Sequence, residues 1–188
     1  MILTDKNITT RLTNKTLLID PTPNDDQIQP ASIDLRLSNE FLMPHIDQPV
    51  DIKNGSPRYE NIKTNVLQLP PHSFILGSTI EKVKIPSDLI GRVEGRSSVG
   101  RLGVTVHITA GFLDCGFEGR ITLEIANLSH NTIMLYENMR ICQIVFEELT
   151  GEPNRLYGEC NNKYQGQEGT VGSLLYYDDD TNKFGETQ

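Results

Sequence analysis

The sequence predicts an all-β protein, a sandwich or barrel of the distorted jelly-roll kind, with a few short helices. Two observations carry this. From Leu67 onward, short runs rich in β-branched and aliphatic residues recur (SFILGSTIEKVKI, IGRVEG, VTVHITA, RITLEIANL, NTIMLYE, RICQIVFEEL), and each is closed off by Gly, Pro, Asn or Asp. Helical periodicity is confined to the N-terminal stretch.

Taken in order, Asp5 or Thr4 caps a short helix in which Ile8 and Leu12 fall four apart, ending before Asp20 and Pro21. Such a helix is a small amphipathic lid or brace. After a turn-rich segment (Pro21, Pro23, Asn24, Asp25, Asp26), residues 32–43 alternate. Ile33, Leu35 and Leu37 take one face and Asp34 and Arg36 the other, which predicts one half-buried strand. Residues 44–66 are polar and carry Asn54, Gly55, Ser56 and Pro57, the composition of a long loop or irregular hairpin. The strand runs then follow. The last thirty or so residues change character, because NKYQGQEGTVG has polar side chains and glycines but no apolar period. That suits a tail that orders over a ligand, and the terminal DDDTNKFGETQ reads as frayed.

A chain of 188 residues fits one domain with its own core and needs no covalent staples. Its cysteines, Cys115, Cys142 and Cys160, are odd in number, widely spaced and without a CxxC pair, and MILTDKNITT lacks the apolar run of a signal peptide. A reduced, cytoplasmic protein is expected. No stretch approaches the roughly 20 apolar residues that cross a bilayer. The net charge of −8 argues against a general nucleic-acid surface, so a phosphate-bearing ligand must be held locally.

The place to hold it is GRSSVGRLG. Backbone N–H groups near Arg96, Ser97 and Ser98 can face phosphate oxygens, the hydroxyls add donors, and Arg96 and Arg101 offer guanidinium forks. An exposed basic turn is the bland alternative, and the missing lysine excludes a Walker motif. Farther on, Ile121, Leu123 and Ile125 share one strand face, and Thr122, Glu124 and Ala126 the other. Glu124 there is either a general acid/base or a carboxylate on a solvated face. Asp114, among Gly111, Gly116 and Gly119, either points from a hairpin-like turn into a pocket or stabilises the turn itself. Gly111 and Phe112 read equally as close backbone approach with an aromatic wall, or as a bulge and a core residue. Lys163, Tyr164 and Gln167 either close over outer phosphates or belong to a disordered terminus. His45, His72 and His130 read as structural or surface residues, and His107 more often as a satisfied strand residue than as a catalyst. No histidine is followed two residues later by glutamate and no PCxxC occurs, so the zinc-deaminase signature and Cys/His metal clusters are missing. Any hydrolytic water must be activated by a carboxylate and backbone groups.

Taken together, MILTDKNI, IQPASIDLRL, LGSTIEKVKIP, GRSSVGRLG, HITAGFLDCGFEGRITLEIAN, RICQIVF and KYQGQEG resemble, in order and over nearly the whole chain, the dCTP deaminase branch of the dUTPase-like superfamily. The resemblance implies a single dUTPase-like domain over 1–188, a distorted β-barrel or jelly roll, with 160–188 a flexible tail closing over the site. It implies a homotrimer with sites between subunits. Arg96, Ser97, Ser98 and Arg101 of one subunit would hold the triphosphate and help place the water, and Glu124 of the neighbouring one would be the deamination acid/base. Asp114 would bind the sugar 3′-hydroxyl and help orient attacking water. The Ala110 backbone and Phe112 would line the base pocket, Gln143 would support the phosphate side, and Tyr157, Lys163, Tyr164 and Gln167 would belong to the tail. His107 and Thr109 lie where the family couples substrate binding to feedback by dTTP. Mg²⁺ would arrive on the substrate phosphates, with no protein ligands.

Within the family one branch releases dUTP and the other continues to dUMP and pyrophosphate. Residues 109–117, TAGFLDCGF, resemble the second, where deaminase-only members typically read TAHRIDPGW; Cys115 stands where proline is usual. The bifunctional reading, with dCTP and dUTP as ligands, leads on these grounds. A deaminase stopping at dUTP, a dUTPase alone and a non-catalytic nucleotide-sensing regulator are the alternatives.

Overall fold

The computed structural model describes residues 1–47, 49–52, 55, 57–159 and 162–178. The expected turn residues Asn54 and Ser56, Cys160 and the acidic end beyond Asp178 lie outside the described residues.

The N-terminal helix forms as predicted, α1 (Asp5–Thr13), with the Thr4 side chain accepting the Asn7 N–H. Ile8 is fully buried and Leu12 packs on the core, so the helix braces the barrel from outside. The strands are β1 (Leu18–Asp20), β2 (Ile28–Gln29), β3 (Ser32–Arg36), β4 (Glu40–Pro44), β5 (Tyr59–Lys63), β6 (Val66–Leu69), β7 (Phe74–Lys84) and β8 (Leu89–Gly95). The four-residue helix α2 (Ser97–Gly100) follows, then β9 (Val104–Thr105), β10 (Phe112–Leu113), β11 (Glu118–Asn127), β12 (Ile133–Tyr136) and β13 (Arg140–Glu148). One sheet runs β5-β4-β7-β11-β9 with β1 beside β7, a second runs β10-β8-β13-β3-β2, and β12 pairs with β6. Neither large sheet closes on itself, which is the distorted jelly roll that the strand runs predict. No helix among the described residues is long and apolar enough to cross a membrane.

The core joins the two large sheets. Ile121, Leu123 and Ile125 of β11 belong to one buried cluster with Ile33 and Leu35 of β3, Val93 of β8 and Ile144 and Phe146 of β13. Strict alternation along β11 therefore turns Thr122, Glu124 and Ala126 to the opposite face, as the sequence indicates.

Three expectations are corrected. Residues 32–43 are two strands, β3 and β4, broken at Leu37–Asn39, and Asp34 is buried (3% exposed) rather than solvated. It is tolerated there because Arg96 and Arg140 meet it, a long-range pairing that alternation does not encode. VTVHITA contributes only β9; beyond Thr105 the chain leaves the ladder because the Thr105 hydroxyl donates to His107 O at 2.7 Å and the next free N–H groups turn to Glu124. The turn at Asp114 is not a hairpin, since β10 pairs with β8 in one sheet and β11 with β7 in the other. It is a corner between sheets. Residues 44–66, expected as a long loop or irregular hairpin, follow the second alternative: β5 pairs antiparallel with β4.

Candidate active site

The site is built on the outward row of β11. Register sets Glu124 opposite Leu76 and Ala126 opposite Phe74 of β7, so the carboxylate stands beside an apolar strip. From the other side the loop after β9 folds over it. Ile108 N–H donates to Glu124 Oε2 at 2.7 Å and Thr109 N–H at 3.4 Å. Oε2 is thus committed to the loop, and Oε1 is the oxygen left for the cavity.

That cavity has a volume of about 460 Å³. It gathers Glu124, Asp114, Phe112, Ala110 and His107 with Tyr157, Tyr164 and Gln167, eight residues that the sequence reading singled out from four separate stretches. Phe112 is 58% exposed and faces the cavity, while its neighbour Leu113 is buried. Gly111 explains this arrangement. A Cβ there would stand 2.8 Å from Val93 O, and Val93 N–H donates to Gly111 O at 2.7 Å, so the close approach is to β8 and not to a ligand. At the corner, Gly116 adopts φ +89°, which swings Asp114 outward and Cys115 inward. Burial, reinforced by the Asp114 charge, pushes the Cys115 thiol above its ordinary pKa, so it is a packing residue in place of a nucleophile. His107 Nδ1 is buried without a hydrogen-bond partner at the cavity edge.

The described part of the tail forms the remaining wall. Gln167 bonds β11 through its backbone carbonyl to Arg120 N–H (2.9 Å) and through Nε2 to Arg120 O (2.6 Å). Lys163 is drawn away: its Nζ pairs with both Asp178 oxygens at 2.6 and 2.7 Å and does not line the cavity. Tyr157 stacks edge-on against Phe117, ring centroids 5.6 Å apart, and burial raises its hydroxyl above the usual pKa.

The phosphate-type residues are elsewhere. Arg96, Ser97, Ser98 and Gln143 line a second, open cleft of about 380 Å³ with Ser32 and Asp34. Arg96 is held from two sides, Nε to Asp34 Oδ2 at 3.1 Å and Nη1 to Arg140 O at 2.9 Å. Arg140 Nη1 reaches the same Asp34 oxygen at 3.3 Å and donates to Asp26 O at 2.6 Å. Gln143 accepts the Ser32 hydroxyl at 3.1 Å. Burial raises the Asp34 carboxyl above its ordinary pKa, and the two guanidiniums offset only part of that. Behind it the fully buried Glu81 is satisfied by the Arg36 N–H and Nε and by Gln27. Arg101 caps the C-terminus of α2, exposed and outside both cavities, and Thr109 lines neither. Among the described residues no group of three His, Cys, Asp or Glu is arranged to hold a metal ion.

Sequence reasoning missed Asp34 and Arg140, because each lies far in the chain from GRSSVGRLG, and Tyr59, which lines the Glu124 cavity from an otherwise featureless polar segment. Tyr59 had no local signal; the ASIDLRL run around Asp34 was visible, but as a strand pattern only.

Residues 2–149 match the family model described as dCTP deaminase-like. The chain is 44% identical over 191 aligned residues to a Methanosphaera stadtmanae protein named "dCTP deaminase, dUMP-forming", covering 95% of this chain and 96% of that one. It is 43% identical to a Halobacterium salinarum protein of the same name, with both chains covered in full. Among solved structures it superposes on the 2′-deoxycytidine 5′-triphosphate deaminase of Agrobacterium tumefaciens with a TM-score of 0.64 at 22% identity, over 79% of this chain and 48% of that one, a likeness of fold.

Proposed function

The chain belongs to the dCTP deaminase-like family, and from that premise we propose that it hydrolyses dCTP to dUMP, pyrophosphate and ammonia, supplying dUMP for thymidylate synthesis. The observation that carries this reading is Glu124, held by the Ile108 N–H with one oxygen left toward a cavity that also receives Asp114 and Phe112. Relatives 43–44% identical over at least 95% of the chain carry the dUMP-forming name.

The chemistry follows from those groups. Glu124 takes a proton from a water as it adds to C4 of cytosine and delivers it to N3. It then takes the proton of the new C4 hydroxyl and gives it to the amine as the C4–N bond breaks and C4=O forms, so dCTP and water give dUTP and ammonia. Neither step calls for zinc. The ring stacks on Phe112, the Ala110 backbone meets its edge, and Asp114 accepts from the sugar 3′-hydroxyl. In the second hydrolysis a water oriented by Asp114, which takes its proton, attacks the α-phosphorus, and the bond from that phosphorus to the α,β-bridging oxygen breaks so that pyrophosphate leaves carrying that oxygen. Mg²⁺ would enter as part of the Mg·dCTP substrate and offset phosphate charge. Ser97, Ser98, Arg96, Arg101 and Gln143 hold the triphosphate, and Ser97 and Arg101 help place the water.

Glu124 and Arg96 line different cavities of one chain. A homotrimer, with the base side from one subunit and the phosphate side from its neighbour, brings both sets to one nucleotide. Ile108 and Phe112, 56% and 58% exposed beside Glu124, suit such an interface. Lys163 then exchanges Asp178 for the outer phosphates when the nucleotide is bound under the tail. Feedback by dTTP acts through His107 and Thr109, whose loop is tied to Glu124. The free Cys115 and Cys142 suit a reducing cytoplasm.

The deciding experiment is incubation of the protein with dCTP and Mg²⁺, nucleotides resolved by anion exchange and pyrophosphate measured in the same sample. Equimolar dUMP and pyrophosphate with little free dUTP is expected; accumulating dUTP would assign a deaminase that stops one step earlier. In the same assay Arg101→Ala should weaken dCTP binding about tenfold, the weight of one charge-assisted contact, and leave dCMP binding unchanged. Equal losses for both would reassign Arg101.

A further inference from the structure

The tail crosses the Glu124 cavity on a narrow set of contacts, and two are tyrosines of the cavity wall itself. Tyr59 Oη accepts the Ser173 N–H at 3.2 Å, and Tyr164 Oη accepts the Leu174 N–H at 3.1 Å. A Cβ on Gly172 would stand 2.5 Å from Tyr59 Cε2 and 3.0 and 3.1 Å from two more ring carbons, so the backbone rests directly on the ring and a side chain at 172 would have to displace it. At the other side Val171 N–H donates to Thr122 Oγ1 at 3.2 Å, on the strand face that carries Glu124. Residues 171–174 are thus a strap from β11 to β5. Val171, Gly172 and Ser173 line the cavity they cross.

These fastenings are neutral hydrogen bonds and one steric seat, each weak enough to break in a catalytic cycle. We propose that Tyr59 is a positioning residue: with Gly172 it forms the clasp that keeps the strap over the cavity while the deaminated nucleotide awaits its second hydrolysis. The inference rests on the two-step reading above. After ammonia leaves, dUTP partitions between release and cleavage, and the ratio of products is the ratio of those rates. Release requires the strap to lift. Loosening the clasp therefore raises free dUTP relative to dUMP, an effect that a merely structural contact does not produce.

The test uses the full-length protein at saturating Mg·dCTP, with dUTP and dUMP quantified at early times, dUTP dissociation followed by stopped flow, and deuterium exchange read over residues 165–178. Tyr59→Phe keeps the ring and removes the hydroxyl, and should raise the dUTP-to-dUMP ratio roughly two- to tenfold with faster exchange in the strap. Gly172→Ala, which drives a methyl into the ring, should raise it further. Unchanged ratios in both variants, or slower turnover at an unchanged ratio, overturn the clasp. Should Gly172→Ala fail to fold, Tyr59→Phe decides alone. A native protein that makes only dUTP overturns the two-step reading instead; the clasp is then judged by dUTP dissociation, and a rate unchanged in Tyr59→Phe overturns it too.

Discussion

Glu124→Gln is expected to lower ammonia release from dCTP by about a hundred- to ten-thousandfold, the usual worth of a positioned general acid/base, while dCTP binding stays within a few-fold of native. The substitution isolates proton transfer. The amide keeps an oxygen that can accept the Ile108 N–H now bonded to Oε2 at 2.7 Å, so the loop over the cavity retains its anchor. Its size is conserved, so the contacts with Leu76 across the strand pair are kept. What is lost is the capacity to take a proton from water and return it to the amine. Stopped assays for ammonia alongside equilibrium dCTP binding check both halves. Native deamination by the variant would remove Glu124 from the mechanism, and lost binding would make it a substrate contact.

Asp34→Ala should act at the other cavity, raising the KM for Mg·dCTP about ten- to a hundredfold with dCMP binding little changed. Asp34 lines the cleft proposed above to hold the phosphates, where a carboxylate by itself would repel the ligand. Its effect is through Arg96: the carboxylate takes Nε at 3.1 Å and Arg140 O takes Nη1 at 2.9 Å, fixing the plane of the guanidinium. Without Asp34 the guanidinium loses its orientation, and a charge-assisted contact of roughly 1.5–3 kcal/mol goes with it. Stability should fall as well. Removing one partner of a fully buried ion pair costs about 3–5 kcal/mol, but the Arg96 and Arg140 side chains are 25% and 40% exposed, so water recovers part of their hydration. A loss of about 1–3 kcal/mol in urea unfolding is the expected result. A stability loss with unchanged KM would limit Asp34 to the fold.

Much of this protein is legible in one dimension, where the controlling physics is local. The alternation that turns Glu124 away from Ile121, Leu123 and Ile125 follows from the two-residue period of a strand. Helix α1 follows from a cap and two apolar residues four apart. The glycines around Asp114 mark a turn, and Gly116 adopts a φ of +89° that suits glycine. That the turn is a corner between sheets and not a hairpin was not legible. The candidate site residues stand out by type, each beside a bland alternative: serines and arginines together for an anion or an exposed basic turn, an aspartate among glycines for a pocket or a turn, a glutamate on a small-residue face for catalysis or a solvated surface. What the sequence by itself determined is thus most of the strand runs and the face that β11 buries, together with a set of candidate side chains whose roles it left open. Only the tertiary structure decided how they meet. It sorted most of those side chains into two cavities and left Arg101 outside both, drew Lys163 to Asp178 and away from the cavity, buried Asp34 between Arg96 and Arg140, and set Tyr59 under Gly172. The reason is separation along the chain: Tyr59 and Ser173 are 114 residues apart. A pairing of that span arises only when the strands between them have stacked and paired, and no local period records it.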